Sequence, residues 1–297
     1  MSLGGALLRE MRPQQWVKNA FVLAPAVFAG PALLAGGELT AARLLPVAAA
    51  TIGYCLASSA TYILNDISDV EADRRHPVKC KRPIASGELP VPLAWRAFGA
   101  LLLLAAVLAV AAGGWVWACL LAYFAMNLAY SNGLKQVAYV DAVVISLGFV
   151  LRILAGGEAA GVHLSQWLIA STVLLSLFLA LGKRHHELLT SPPGSRKSLD
   201  QYDIRHVRVL MWFLGVATPV VWLLYTLDPE TMTRFATDKL WWTAPFPLVG
   251  LLRFARLASD ASTAHSPTER MLKDPAFVAN LLVWTALTGA LLYPGLA

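Results

Sequence analysis

Charge is scarce in this 297-residue sequence: Asp, Glu, Lys and Arg make up 14% of it, against roughly 25% in an ordinary soluble domain. Apolar residues make up 57% and the mean hydropathy is +0.59, so lipid, not water, is the expected solvent. Cysteine is scarce too. Cys55, Cys80 and Cys119 are odd in number and share no metal-ligand spacing, which excludes a disulfide framework and a zinc site. Residues 1–11 lack a long apolar core ending in small residues, so no removable signal peptide is expected. Strict repeats and Pro- or Ser-rich linkers are also missing, which points to a single membrane domain over 1–297. Nor does any Ser-His-Asp or Cys-His arrangement offer a strong general base. The net charge of +6 does not imply nucleic acid, because the basic residues lie between apolar segments.

What is present is a series of apolar runs. A hydrocarbon core about 30 Å thick needs roughly 20 apolar residues per helix. Nine runs approach this, at 17–36, 42–64, 93–112, 115–130, 140–158, 166–182, 209–227, 240–256 and 276–295. The expected fold class is therefore all-α and polytopic. With the N-terminus inside and the C-terminus outside, nearly all of the 24 Lys and Arg fall in inner segments. Outer segments hold only Arg43, Arg234 and Lys239, while Arg152 lies within a span. The plasma membrane of a bacterial-type cell is the expected location. Trp16, Trp95 and Trp212 at inner boundaries, and Trp115, Trp117, Trp167, Trp241 and Trp242 at outer ones, read as interfacial anchors.

Two inner connections are long and polar, Asn65 to Pro92 and Lys183 to Arg208. In the first, Asp66, Asp69 and Asp73 are spaced i, i+3, i+7, and Asn65, Asp69 and Asp73 are spaced i, i+4, i+8. On a helix continued from the second span, each set would share one face. Unpaired, that much like charge would destabilise the helix, whereas hard oxygen ligands projecting together suit Mg²⁺ bridging carboxylates to a diphosphate. Pro77 should then stop the helix and hold His76 extended, as a solvated turn residue. Lys79, Lys81 and Arg82 follow, able to bind phosphate oxygens that the metal leaves exposed.

The run Asn65-Asp66-x-x-Asp69-x-x-x-Asp73, with Arg74, His76 and Lys81-Arg82-Pro83-Ile84, resembles the first aspartate-rich motif of the UbiA prenyltransferase superfamily. The resemblance implies a nine-helix transmembrane bundle around a central cavity, with Mg²⁺-diphosphate held by two aspartate-rich motifs at its cytoplasmic end. Asp66, Asp69 and Asp73 are thereby expected as metal ligands and catalytic residues. The second motif, however, is replaced by Lys183-Arg184-His185-His186-Glu187, then Arg196-Lys197-Ser198-Leu199 and Tyr202. One carboxylate and several cations suit an anion better than a second metal.

That replacement, with Arg12-Pro13-x-Gln15-Trp16-x-Lys18-Asn19, Tyr130-Ser131-x-x-Leu134-Lys135 and Arg152 ahead of Ala155-Gly156-Gly157, resembles one branch, the decaprenyl-phosphate phosphoribosyltransferases. The resemblance implies a phosphoribosyl pyrophosphate donor, a polyprenyl phosphate acceptor, release of pyrophosphate, and a product feeding cell-envelope glycans. Expected substrate-binding residues are Lys18, Asn65, Lys79, Arg82, Lys135, Asp141, Lys183, Arg184, Glu187, Arg196, Lys197 and Tyr202. Asp141 either lines the site or caps its helix, and Arg152 either binds substrate or makes a structural pair. Asn127 is expected to bond between helices, and His185 and His186 to be polar helix-end residues. Two other functions compete: conventional prenyl transfer to an aromatic acceptor, and transport through Asp141 and Arg152.

Overall fold

The computed structural model describes residues 2–29, 41–76, 78–192, 198–263 and 265–293. Arg196, Lys197 and Ala297 lie outside them. The described residues are helical, and six helices are long and apolar enough to cross a membrane: Leu44–Ser68, Val91–Ala111, Val140–Ala160, Gln166–Thr190, Ile204–Leu227 and Pro275–Leu292. A seventh apolar helix, Val116–Ser131, is shorter. The chain forms two compact units, one of residues 1–27, 39–132 and 151–163, the other of 28–38, 133–150 and 164–297.

In the first unit, α1 (Leu3–Met11) is capped by the Ser2 hydroxyl and stops at Arg12, which is left-handed at φ 53° ahead of Pro13. Pro13–Val22 then runs as a 3-10 helix, followed by the short α2 (Ala24–Phe28). The expected first span at 17–36 is therefore not one α-helix over its described part. Pro25 falls in the first turn of α2, where its missing N–H leaves no helical bond unmade. The 3-10 segment lies along α3 (Ala41–Ser68): Trp16 Nε1 donates to Ser59 Oγ at 3.0 Å, and Ser59 Oγ donates to the Met11 carbonyl at 2.8 Å. After α4 (Val70–Arg75), α5 (Val91–Ala111) packs on α3 through Gly53, Ala57, Ala105 and Ala109, small residues that let the backbones approach. Then come α6 (Val116–Ser131) and the second half of α7 (Val140–Ala160). A Cβ built on Gly156 of α7 would sit 2.0 Å from the Val22 carbonyl oxygen, so only glycine admits the 3-10 strand there.

The second unit begins α8 (Gln166–Thr190) at the Ser165 cap and α9 (Ile204–Leu227) at the Asp203 cap. These two pack against each other and against α11 (Pro245–Ala258) around Phe178, Leu181, Met211, Leu214 and Phe254. Phe254 lies where a Cβ on Gly182 would be, 2.4 Å away, so glycine makes room for the ring. The short α10 (Pro229–Phe235) and α12 (Pro267–Met271) lead into turns, and α13 (Pro275–Leu292) closes the unit. The eighth expected span, 240–256, is also interrupted. Leu240–Thr243 is a 3-10 turn and α11 starts only at Pro245, whose fixed φ suits a first helical turn.

Apolar faces remain open to the surroundings. Leu103, Val107 and Val110 on α5, and Leu282 and Val283 on α13, are more than half exposed. Rows of this kind face lipid in a multi-pass membrane protein.

Candidate active site

The acidic motif is not one straight helix. α3 ends at Ser68, Asp69 stands between helices at φ −95°, ψ 6°, and α4 resumes at Val70. Backbone bonds from Asp69 N to the Asn65 carbonyl (2.9 Å) and from Asp73 N to the Asp69 carbonyl (2.8 Å) carry the helical path across the joint. His76 is extended (φ −86°, ψ 132°), as Pro77 requires, and its Nδ1 accepts from the backbone N–H groups of Val78 and Lys79.

The three aspartates divide into two kinds. Asp66 and Asp73 are buried, and both converge on Arg82: Nη1 lies 3.0 Å from Asp66 Oδ1 and 2.6 Å from Asp73 Oδ2. Arg12 also donates to Asp66, and Lys79 Nζ lies 3.8 Å from Asp73. Asp69 is half-buried and, among the described residues, its side chain makes no ion pair. Asn65, one turn before it, accepts a 2.6 Å hydrogen bond from Ser131 on its amide oxygen, which retains a second lone pair. No three His, Cys, Asp or Glu side chains form a ready-made metal cage among the described residues. The donor set nevertheless fits Mg²⁺, which takes one or two carboxylates and completes its shell from phosphates and water.

Glu10 was absent from the sequence expectations. It sits on α1, 1% exposed, with neither carboxyl oxygen hydrogen-bonded. Burial first, and the neighbouring Asp66 carboxylate second, push its pKa up to about 8, against the pull of Arg12 and Arg82. A signal existed in the sequence, since Glu10 faces inward with Ala6 at i, i+4 spacing, but a lone Glu in a charged turn reads as solvated.

Lys18 lies half-buried in the 3-10 segment. Beyond it, Asn19 accepts from Arg152 Nε at 2.8 Å, and Arg152 reaches Tyr123 Oη at 3.2 Å with its guanidinium over the Tyr123 ring. Asn127 bonds the Tyr123 carbonyl of its own helix, not another helix, because that carbonyl lies one turn below its amide.

In the second unit the replaced motif forms a chain of contacts. Arg184, 1% exposed, pairs through Nε with the fully buried Asp141 Oδ2 at 2.9 Å, an ion pair rather than an aligned hydrogen bond. Its Nη1 pairs with Glu187, whose other oxygen lies 3.9 Å from Lys183 Nζ. Tyr202 Oη donates to Asp141 Oδ1 and accepts the Tyr139 N–H at 2.8 Å. Burial, then the Asp141 hydrogen bond and charge, hold the Tyr202 phenol above its usual pKa, so it remains a donor. Asp141 is thus neither a cap nor a free lining group. Tyr202 is a buried bridge, and Arg184 is not a cation open to phosphate, since its guanidinium lies between Asp141 and Glu187. Lys183 is half-buried, as is Lys135 in a 3-10 turn. His185 and His186 are buried and not polar helix-end groups, because α8 continues to Thr190 and carries them inside.

Residues 22–281 match the UbiA prenyltransferase family. The chain is 38% identical over 292 residues to a decaprenyl-phosphate phosphoribosyltransferase of Corynebacterium glutamicum, covering 95% of this chain and 85% of that one. It is 37% identical over 307 residues to the enzyme of that name from Mycolicibacterium smegmatis, covering 98% and 94%. In fold it is similar to a UbiA homolog from Archaeoglobus fulgidus solved with GPP and Mg²⁺, at a TM-score of 0.70 and 18% identity over 97% of this chain and 98% of that one. The same homolog with DMAPP and Mg²⁺ gives a TM-score of 0.71 at 17% identity, over 96% and 98%. With the family matched across most of its length and an acidic motif that begins at the end of its longest described helix, this chain belongs to the UbiA prenyltransferase family.

Proposed function

We propose that this chain transfers the 5-phosphoribosyl group of phosphoribosyl pyrophosphate to a decaprenyl-like polyprenyl phosphate, releasing pyrophosphate. The observation that carries the reading is 37% to 38% identity, across nearly the whole chain, to relatives named for that acceptor and that transferred group. The replaced second motif supports it. Conventional prenyl transfer calls for a second pair of free acids, whereas here the end of α8 carries Arg184 between two carboxylates.

The bond broken joins the anomeric carbon to the diphosphate, and the electron pair leaves with pyrophosphate. The bond formed joins that carbon to an oxygen of the lipid phosphate. This nucleophile is already anionic, so no general base is needed. Asp69, with the Asn65 amide oxygen one turn before it, would hold Mg²⁺, which supplies neutralisation of the charge growing on the departing diphosphate. Asp66 and Asp73 hold Arg82, Arg12 and Lys79 in place, and the remaining N–H groups of those cations are free to bind phosphate oxygens. Lys183, Lys18, Lys135, Arg196 and Lys197 remain candidates for the 5-phosphate. Arg184 is assigned a positioning role. The polar connections face the cytoplasm, where a soluble diphosphate donor is available.

Purified protein given polyprenyl phosphate and Mg²⁺ should yield a phosphoribosylated lipid by mass spectrometry with phosphoribosyl pyrophosphate as donor. Prenylation of an aromatic acid from a prenyl diphosphate, without the ribosyl product, would overturn this assignment and leave the family intact.

A further inference from the structure

Arg184, Asp141 and Tyr202 form a buried arrangement that Glu187 joins at its outer end. The Arg184 charge is matched on its buried side by Asp141, and the second Asp141 oxygen takes the Tyr202 hydroxyl. Tyr202 is itself fixed by the Tyr139 N–H, and Tyr139 holds a left-handed backbone at φ 64°, a conformation that persists only where surroundings over-determine it. Glu187 is the one carboxylate of this chain of contacts that reaches the surface, at 23% exposure of its side chain. Its charge is offset by Arg184 and, more loosely, by Lys183.

An acid placed so has a narrow chemistry. Neutralised by a buried guanidinium, it is a poor ligand for a second divalent cation, and as a carboxylate it repels phosphate. It keeps lone pairs that accept hydrogen bonds, and the pairing with Arg184 fixes their direction before any ligand arrives. Neutral donors that come in adjacent pairs fit best, and the vicinal hydroxyls of a pentose are such a pair. We propose that Glu187 is the residue that recognises the ribose hydroxyls of the donor, with Arg184 as its positioning residue. This rests on the phosphoribosyl reading above and extends it, because a prenyl diphosphate offers no hydroxyl to such a group.

The test is equilibrium binding of two stable probes, ribose 5-phosphate and 2,3-dideoxyribose 5-phosphate, to the full-length protein in nanodiscs. A site built to bond hydroxyls discriminates strongly against the analogue lacking them. Wild type should bind ribose 5-phosphate at least about tenfold more tightly. Glu187→Ala should bring the ratio to about one by weakening only the hydroxylated probe, and Glu187→Gln, which keeps one acceptor, should fall between. Equal affinity of the two probes for wild type, absence of binding by both, or an unchanged ratio in Glu187→Ala would each overturn the proposal. So would equal weakening of both probes, the mark of a purely structural pair. Should Glu187→Ala fail to fold, the near-isosteric Glu187→Gln alone decides by whether its ratio falls. Formation of phosphoribosylated lipid by wild type is measured separately, so the loss of this inference and the loss of the functional reading are told apart.

Discussion

At the scale of single residues, the acidic motif assigns different work to side chains that look alike in sequence. Asp69→Asn should weaken Mn²⁺ binding, followed by paramagnetic resonance, and cut turnover by at least about tenfold, about 1.4 kcal/mol of transition-state energy. Asp66→Asn and Asp73→Asn should cut turnover similarly but should also loosen the segment from Val78 to Leu89, because Arg82 loses an anchor. Faster proteolysis there in these two variants, and not in Asp69→Asn, is the expected pattern; identical behaviour of all three would contradict the division. Glu10 adds a pH dependence. Its folded pKa of about 8 lies above the ordinary 4.5, so the folded protein holds a proton that the unfolded chain releases. Its contribution to stability is thus full below about 4.5 and is lost as pH rises through about 8. Glu10→Gln should flatten the fall in melting temperature between pH 5 and 8, measured in metal-free detergent. An unchanged slope would assign that fall to other groups.

At the scale of elements, the apolar runs and acidic spacing were legible because hydropathy and helical period act locally. The breaks were not. Helices start at or beside Pro25 and Pro245 within runs whose average hydropathy remains high, whereas Pro46 and Pro219 lie inside continuous helices, so neither apolar counting nor proline alone locates a break. Partner choice was equally hidden. Arg184 reads as a loop cation beside Lys183, and only α7, carrying Asp141 to it, makes it a buried ion pair. Removing it leaves Asp141 uncompensated, so Arg184→Ala should cost about 3–5 kcal/mol, seen as lost monodisperse protein or a large drop in thermal half-life. Lys183→Ala removes a half-buried side chain 3.9 Å from Glu187 and should fold normally. If Lys183 takes the 5-phosphate, its loss raises the donor KM. Should Arg184→Ala melt like wild type, the ion pair would be dispensable. Gly156 belongs here too: its alanine variant should destabilise by forcing Val22 away from α7.

At the scale of the whole molecule, the sequence carried the class of solvent and the family, and the concentration of basic residues on one side predicts orientation. With Cys55 and Cys119 replaced by serine, Cys80 should label with an impermeant maleimide only from the cytoplasmic face of oriented vesicles. Labelling only from the opposite face would reverse the topology and deny a cytosolic donor access. The sparse burial of the membrane helices has a further consequence. Only 22% of the apolar window of α5 and 11% of that of α13 is buried by protein. At 1.5 Å per residue these helices are about 32 and 27 Å long, and α6 about 24 Å. Helices of such uneven length meet any single bilayer thickness with local thinning, thickening or tilt. The folding free energy of this protein is accordingly a joint property of chain and lipid, and acyl-chain length belongs among its thermodynamic variables beside temperature and pH.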